Sequence, residues 1–229
     1  MTEILAIIPA RGGSKGIPLK NIVPLSGAPL LSYNLKAARD AKKISRIVVS
    51  TDNLKISEVA KQYGAEVCLR PEGISGDFSS SEDALLHVLE KLYEDERYVP
   101  DIVVFLQCTS PLTLAEDIDG IIEKYLSEKA DTALSVAPFH YYVWSEDENG
   151  EGQGINHDKM SRSMRQERKN QFLENGAIYV METAGFLQHR FRFFGKTITY
   201  LMPEERSHEI DEPVDLLIAE AMMIQMNLK

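Results

Sequence analysis

Only two cysteines, Cys68 and Cys108, occur in 229 residues. Two cysteines make no disulfide framework, and both lie in apolar runs that read as buried thiols in a reducing compartment, although the count alone permits one bridge. No apolar run approaches the roughly 20 residues of a membrane helix. The stretch 4–8 is short and follows Thr2-Glu3, so it suits neither a secretory leader nor a span, and a cytoplasmic chain is expected. Positive charge is the minority sign: 25 Lys and Arg against 35 Asp and Glu give a net charge of −10. That balance argues against nucleic acid or an anionic membrane as a partner, so an anionic ligand must meet a local basic site. The five histidines are scattered without zinc spacing, and no nucleophile-elbow motif supports Ser/His/Asp hydrolysis.

What is present suits one α/β domain spanning residues 1–229, with an ordinary apolar fraction of 44%. Buried-looking strands at 4–8, 46–51, 65–69, 101–107 and 132–137 alternate with amphipathic helices at 30–41, 54–63, 80–96 and 113–128. The helix at 80 opens with a serine cap and an acidic first turn. The run 101–107 is continuously apolar, as in parallel strands buried on both faces. A doubly wound, mostly parallel sheet follows, with ligands at the strands' C-terminal ends. The pattern breaks at about 138–173, where His140-Tyr141-Tyr142, Trp144, an acidic turn and a basic run read as a protruding arm; a linker is the alternative. Strands follow at 176–181 and 197–201, and a last helix begins near Pro213 with Val214, Leu217, Ile218, Ala221 and Met222 as its expected core face.

The first strand runs into Pro9-Ala10-Arg11-Gly12-Gly13-Ser14-Lys15-Gly16-Ile17-Pro18-Leu19-Lys20-Asn21. Glycines let backbone N–H groups turn toward an anion, and Arg11, Lys15 and Lys20 supply charge suited to a triphosphate. The spacing fits neither a P-loop nor G-x-G-x-x-G; a glycine-rich βα turn with surface lysines is the plainer alternative. Gln107, Thr109 and Ser110 follow the fourth strand of the series, where an open α/β sheet meets its ligands. Arg165-Gln166 offers a guanidinium fork for a carboxylate, and Asn175 and Tyr179 bracket a strand start with amide and phenol groups. Between Glu209 and Asp215 lie four carboxylates at a helix start: either favourable helix-dipole charges or a Mg²⁺ site using Asp211 and Glu209. Asp215 reads as structural.

The first loop, Arg70-Pro71, Leu106-Gln107-x-Thr109-Ser110-Pro111, Arg165-Gln166 and Asn175-Gly176-Ala177-Ile178-Tyr179 together resemble the acylneuraminate cytidylyltransferases, the CMP-sialic acid synthetase family. The likeness runs in order from Ile8 to about Asp215. Two departures stand out: Cys108 where the family pattern has proline, and Glu209 for the first member of an Asp-x-Asp metal pair. The resemblance implies a Rossmann-like nucleotidyltransferase fold and a homodimer that exchanges its arm. It implies a nucleotide site of Ala10, Arg11, Gly12, Gly13, Ser14, Lys15, Lys20, Asn21, Arg70 and Ser81. Within it Arg11 and Lys15 hold the β- and γ-phosphates, Lys20 lies near the α-phosphate, and Arg70 and Ser81 hold cytosine. The implied reaction joins CTP to a nonulosonic acid, with Mg²⁺, releasing diphosphate. N-acylneuraminate is the expected acceptor; legionaminate, pseudaminate and 3-deoxy-manno-octulosonate are alternatives. A non-catalytic CTP-binding protein and, more remotely, an NAD-dependent reductase are readings of other classes.

Overall fold

The apolar run at the chain's start forms β1 (Ile4–Pro9) in a computed structural model that describes residues 2–14, 16–76, 78–161 and 171–227. A short ribbon, β2 (Pro24–Leu25) and β3 (Ala28–Pro29), leads into α1 (Leu30–Asp40). Next come β4 (Arg46–Thr51), α2 (Leu54–Gln62), β5 (Glu66–Leu69), α3 (Ser81–Glu96), β6 (Ile102–Leu106), α4 (Ala115–Glu128) and β7 (Thr132–Phe139). A small hairpin, β8 (Trp144–Glu146) and β9 (Gly152–Gly154), precedes β10 (Gln171–Glu182), α5 (Thr183–His189), β11 (Thr197–Leu201) and α6 (Pro213–Gln225).

Seven strands form one sheet in the order β11-β7-β10-β6-β1-β4-β5. β6, β1, β4 and β5 are parallel, as are β7 and β11; β10 runs antiparallel to both its neighbours. The expected doubly wound α/β architecture is present, and the alternation of side chains explains it. On β1, Ile4, Ala6 and Ile8 join the core layer under α1, α2 and α4, while Leu5 and Ile7 join the layer under α3 and α5. β6 divides likewise, with Val104 and Leu106 on one side and Val103 and Phe105 on the other. A strand whose faces both meet helices has no polar face, hence the continuous apolar runs.

Local signals set the helix starts. Asn53 caps α2 by accepting from the N–H groups of Lys55 (2.9 Å) and Ile56 (3.3 Å). Ser80 caps α3 by accepting from Asp83 N–H at 3.1 Å, and Asp83 accepts from Ser80 N–H at 3.0 Å.

Three features depart from expectation. β10 begins at Gln171 rather than near 176, because a bulge at Asn175-Gly176 lets an exposed half (Phe172 to Glu174) pair with β7 before the strand turns inward. α5, only one to two turns long, carries too little periodicity to announce itself. α6 is rotated from its expected setting: Ala219 and Met223 are buried, whereas Val214 is 56% and Leu217 67% exposed. The helix is apolar nearly all round, so its sequence offers two stripes. Small Ala219 allows close approach to the core, and Glu220 accepts from Ser26 N–H at 3.0 Å on the β2–β3 ribbon, which fixes the rotation.

Candidate nucleotide site

Three loops at the C-terminal ends of the parallel strands, with the segment entering α6, enclose a crevice of about 540 Å³. The loop after β1 contributes Arg11, Ser14, Lys20 and Asn21. Arg70 follows β5, Ser79–Ser81 lead into α3, Gln107 and Thr109 follow β6, and Glu209, Asp211 and Glu212 precede α6. Residues separated by up to two hundred positions thus meet because parallel strands all deliver their ends to one edge.

The first loop is fastened to its neighbours by hydrogen bonds within the chain. Ala10 N–H donates to Ser50 O at 2.8 Å, Gly12 N–H donates to Asp52 Oδ1 at 2.8 Å, and buried Asn21 donates to Arg11 O at 2.8 Å. Arg11 Nη1 donates to Gly76 O at 2.9 Å, joining this loop to the one before α3. Gly12 and Gly13 complete the turn, and a Cβ on Gly12 would sit 2.8 Å from Asn53 Nδ2. A Cβ on Gly16 would sit 2.7 Å from the Asp211 carbonyl oxygen, so glycine is what lets the loop pass beside the acidic segment. Lys20 Nζ donates to Ile210 O and Asp211 Oδ1, each at 2.9 Å, so a cation and a carboxylate share the crevice floor.

Arg70 is buried, donating to Ser50 O at 2.8 Å and Ser50 Oγ at 3.2 Å, and burial pulls its pKa down while Asp52 opposes that. Opposite it, Glu209 Oε1 accepts from Thr109 Oγ1 at 2.8 Å and from the Gln107 amide. Burial pushes the Glu209 carboxyl above the usual range, against the pull of its bond to Thr109. Gly176, at φ +68°, brings its backbone against this pair: a Cβ there would lie 3.2 Å from both Gln107 Nε2 and Glu209 Oε2. Asp215 Oδ2 accepts from the N–H groups of Glu212 (2.7 Å) and Asp211 (2.9 Å), which fixes the backbone that presents Asp211.

Of the residues expected from sequence, Arg11, Ser14, Lys20, Asn21, Arg70, Ser81, Gln107, Thr109, Glu209 and Asp211 line this crevice. Lys15, Arg165 and Gln166 lie outside the described residues. Three acceptor candidates turn inward instead. Ser110 is buried with its hydroxyl unpartnered. Asn175 spends its amide on Ser135 Oγ (2.6 Å) and Ser207 Oγ (3.0 Å), as a bulge in a buried strand requires. Tyr179 is buried, stacks on Phe105 at 5.2 Å and donates to Glu174 at 2.5 Å; burial, then that bond, raises its pKa. Sequence reasoning missed Ser79, Ser80 and Glu212; the serine run before α3 was the available signal. Among the described residues no group of three or more His, Cys, Asp or Glu side chains is arranged to hold a metal by protein donors alone. No helix there is long and apolar enough to cross a membrane.

Known proteins of one family are similar to this chain over most of its length. A family model described as Cytidylyltransferase matches residues 5–217. The chain is 36% identical over 228 residues to an N-acylneuraminate cytidylyltransferase of Oncorhynchus mykiss, covering 97% of this chain and 51% of that protein. The chain spans about half the length of several such relatives, including those of Danio rerio. It is 30% identical to a pseudaminic acid cytidylyltransferase of Campylobacter jejuni, covering 95% of both. In structure it is similar to a CMP:2-keto-3-deoxy-manno-octonic acid synthetase complexed with CTP (TM-score 0.72, 15% identity, 98% of this chain and 100% of that one), a likeness of fold. This chain belongs to the cytidylyltransferase family.

Proposed function

We propose that the chain transfers a cytidylyl group from CTP to a nonulosonic acid of the sialic type, releasing diphosphate. The observation that carries this reading is the junction of the basic, glycine-lined loop with the acidic segment, where Lys20 lies 2.9 Å from Asp211 beside a crevice walled by Arg70 and Ser79–Ser81. The full-length coverage of the pseudaminic acid relative and the identity to the N-acylneuraminate relatives support the class of acceptor.

The sugar's anomeric hydroxyl attacks the α-phosphorus of CTP, the bond from that phosphorus to the bridging oxygen breaks, and diphosphate leaves. Arg11 and the loop amides around Ser14 are assigned to the departing phosphates, with Lys15 of the same loop; Lys20 is assigned to the α-phosphate, where charge grows. Arg70 and Ser81 are assigned to the base, whose small pyrimidine suits a wall of short serines. Gln107 and Thr109 face the acceptor, and the Arg165-Gln166 pair is kept as its carboxylate partner.

Asp211, whose side chain is 68% exposed into the crevice, fits a Mg²⁺ held by one carboxylate, phosphate oxygens and water. Such an ion supplies charge neutralisation on the triphosphate. Glu209, beside Asp211 in the crevice, is assigned as the second donor, directly or through a water, with its Oε1 also accepting from Thr109 and Gln107. The attacking hydroxyl's proton passes to solvent as the new bond to phosphorus forms. The exposed apolar side chains of the 138–173 arm, Tyr141, Trp144, Ile155 and Met160, support assembly as a homodimer.

Diphosphate release with Mg²⁺, across a panel of nonulosonic acids and with CTP compared against UTP and ATP, tests the reading. Release with CTP and at least one such acid is expected. Silence with CTP across the whole panel refutes the proposed transfer.

A further inference from the structure

The crevice walls are joined from behind by a residue that does not line them. Arg192, in the loop between α5 and β11, donates through Nε and Nη2 to Glu82 Oε1 and Oε2 at 2.6 and 3.2 Å. Both side chains are nearly closed to solvent, at 16% and 9% exposure. The guanidinium also lies over the rings of Tyr179 (4.6 Å) and Phe105 (5.1 Å), and Phe193 meets Tyr179 edge-on at 6.1 Å. A planar fork that pairs with a carboxylate while lying against aromatic faces is available to arginine and not to lysine.

The two ends of this cluster adjoin the crevice. Glu82 directly follows Ser81, so its pairing fixes the first turn of α3 and the serine wall before it. At the other end Tyr179 donates to Glu174, the residue before the Asn175-Gly176 bulge that presses on Gln107 and Glu209. We infer that Arg192 is a positioning residue for the transfer: it sets the spacing between the nucleotide wall on α3 and the acceptor wall carried by β10 and β6. This rests on the reading of the crevice given above, and it identifies a residue that no sequence motif marks.

Arg192→Met, Arg192→Lys and the double variant Glu82→Gln/Arg192→Met are compared with the unaltered chain for Tm, for CTP binding by calorimetry, and for the KM of CTP and of the sugar acid. Arg192→Met strands a buried carboxylate, so Tm falls by roughly 6–12 °C, and both KM values rise roughly tenfold as the walls lose their spacing. The double variant removes the stranded charge. It recovers most of the lost Tm but keeps weakened CTP binding and raised KM values. Arg192→Lys keeps the charge and loses the fork, giving a Tm near the original with both KM values raised. If Arg192→Met does not fold, these last two carry the comparison. Full recovery of KM and CTP binding along with Tm in the double variant, or unchanged KM values in Arg192→Lys, overturns the inference. If the unaltered chain binds CTP but turns over no sugar acid, the proposed reaction fails, whereas calorimetry on the double variant still reads the clasp.

Discussion

Replacing Gly16 with alanine adds a single methyl group at the point where the first loop passes the acidic segment. The new Cβ would lie 2.7 Å from the Asp211 carbonyl oxygen, against an ordinary contact that begins at 3.4 Å. The loop or the acidic segment must therefore yield by about 0.7 Å, the difference between those distances. The obstacle is backbone, pinned by Asp215 through the Asp211 and Glu212 N–H groups and by Lys20 on the Ile210 carbonyl, so no side chain can swing aside. A displacement approaching 1 Å in a phosphate-transfer site costs on the order of 10- to 100-fold in kcat/KM, about 1.4–2.7 kcal/mol of transition-state stabilisation. Overpacking at a surface loop costs about 1–3 kcal/mol of stability at most. Diphosphate release under CTP saturation and at limiting CTP, alongside a thermal melt, separates these effects. Gly73→Ala serves as the control, since nothing lies within 4 Å of a Cβ there. If Gly16→Ala retains unaltered kcat/KM, the close passage of loop and acidic segment does not shape the site and the reasoning fails.

Three further outcomes follow from the same geometry. Lys20→Met leaves the fold intact but is expected to lower kcat roughly 10²- to 10³-fold, the usual loss of one donor to developing charge; near-normal turnover counts against its assignment to the α-phosphate. Asp215 is held below the usual carboxylate range by the N–H groups of Glu212 and Asp211, so its contribution to stability is present above the unfolded-state pKa and is lost as pH falls through the lower native value. Asp215→Ala should therefore cost about 1 kcal/mol at neutral pH, with the deficit closing in acid; a deficit that does not change with pH in urea melts refutes this. Burial pushes the Cys108 thiol up to about 12, so it should resist a maleimide at pH 8 until the chain unfolds, and rapid native labelling would contradict its burial.

Much of the fold was legible because burial on both faces of a strand leaves a plain mark, as at 4–8 and 102–106. The first loop's place at the crevice was legible because its signal is local: glycines and cations stand within a dozen residues of one another. Elsewhere the sequence was ambiguous for identifiable reasons. The Asn-Gly-Ala-Ile-Tyr motif carries groups that could face a sugar, but alternation along β10 sends Tyr179 into the core, and the bulge at Gly176 consumes the Asn175 amide. α6 offers two apolar stripes, and only its meeting with the β2–β3 ribbon selects one. Glu82 and Arg192 stand 110 positions apart, with nothing local to announce their pairing.

The fastening of the first loop bears on how fast the proposed nucleotide would be captured. Asp52 and Asn21 hold its backbone and the Gly76 carbonyl holds the Arg11 guanidinium, so little chain ordering would accompany arrival and encounter would govern the association rate. A molecule of net charge −10 repels a triphosphate at long range while its basic mouth attracts at short range. Added salt shortens the reach of both, so the on-rate is expected to vary with ionic strength less steeply than the loop's cations alone would dictate.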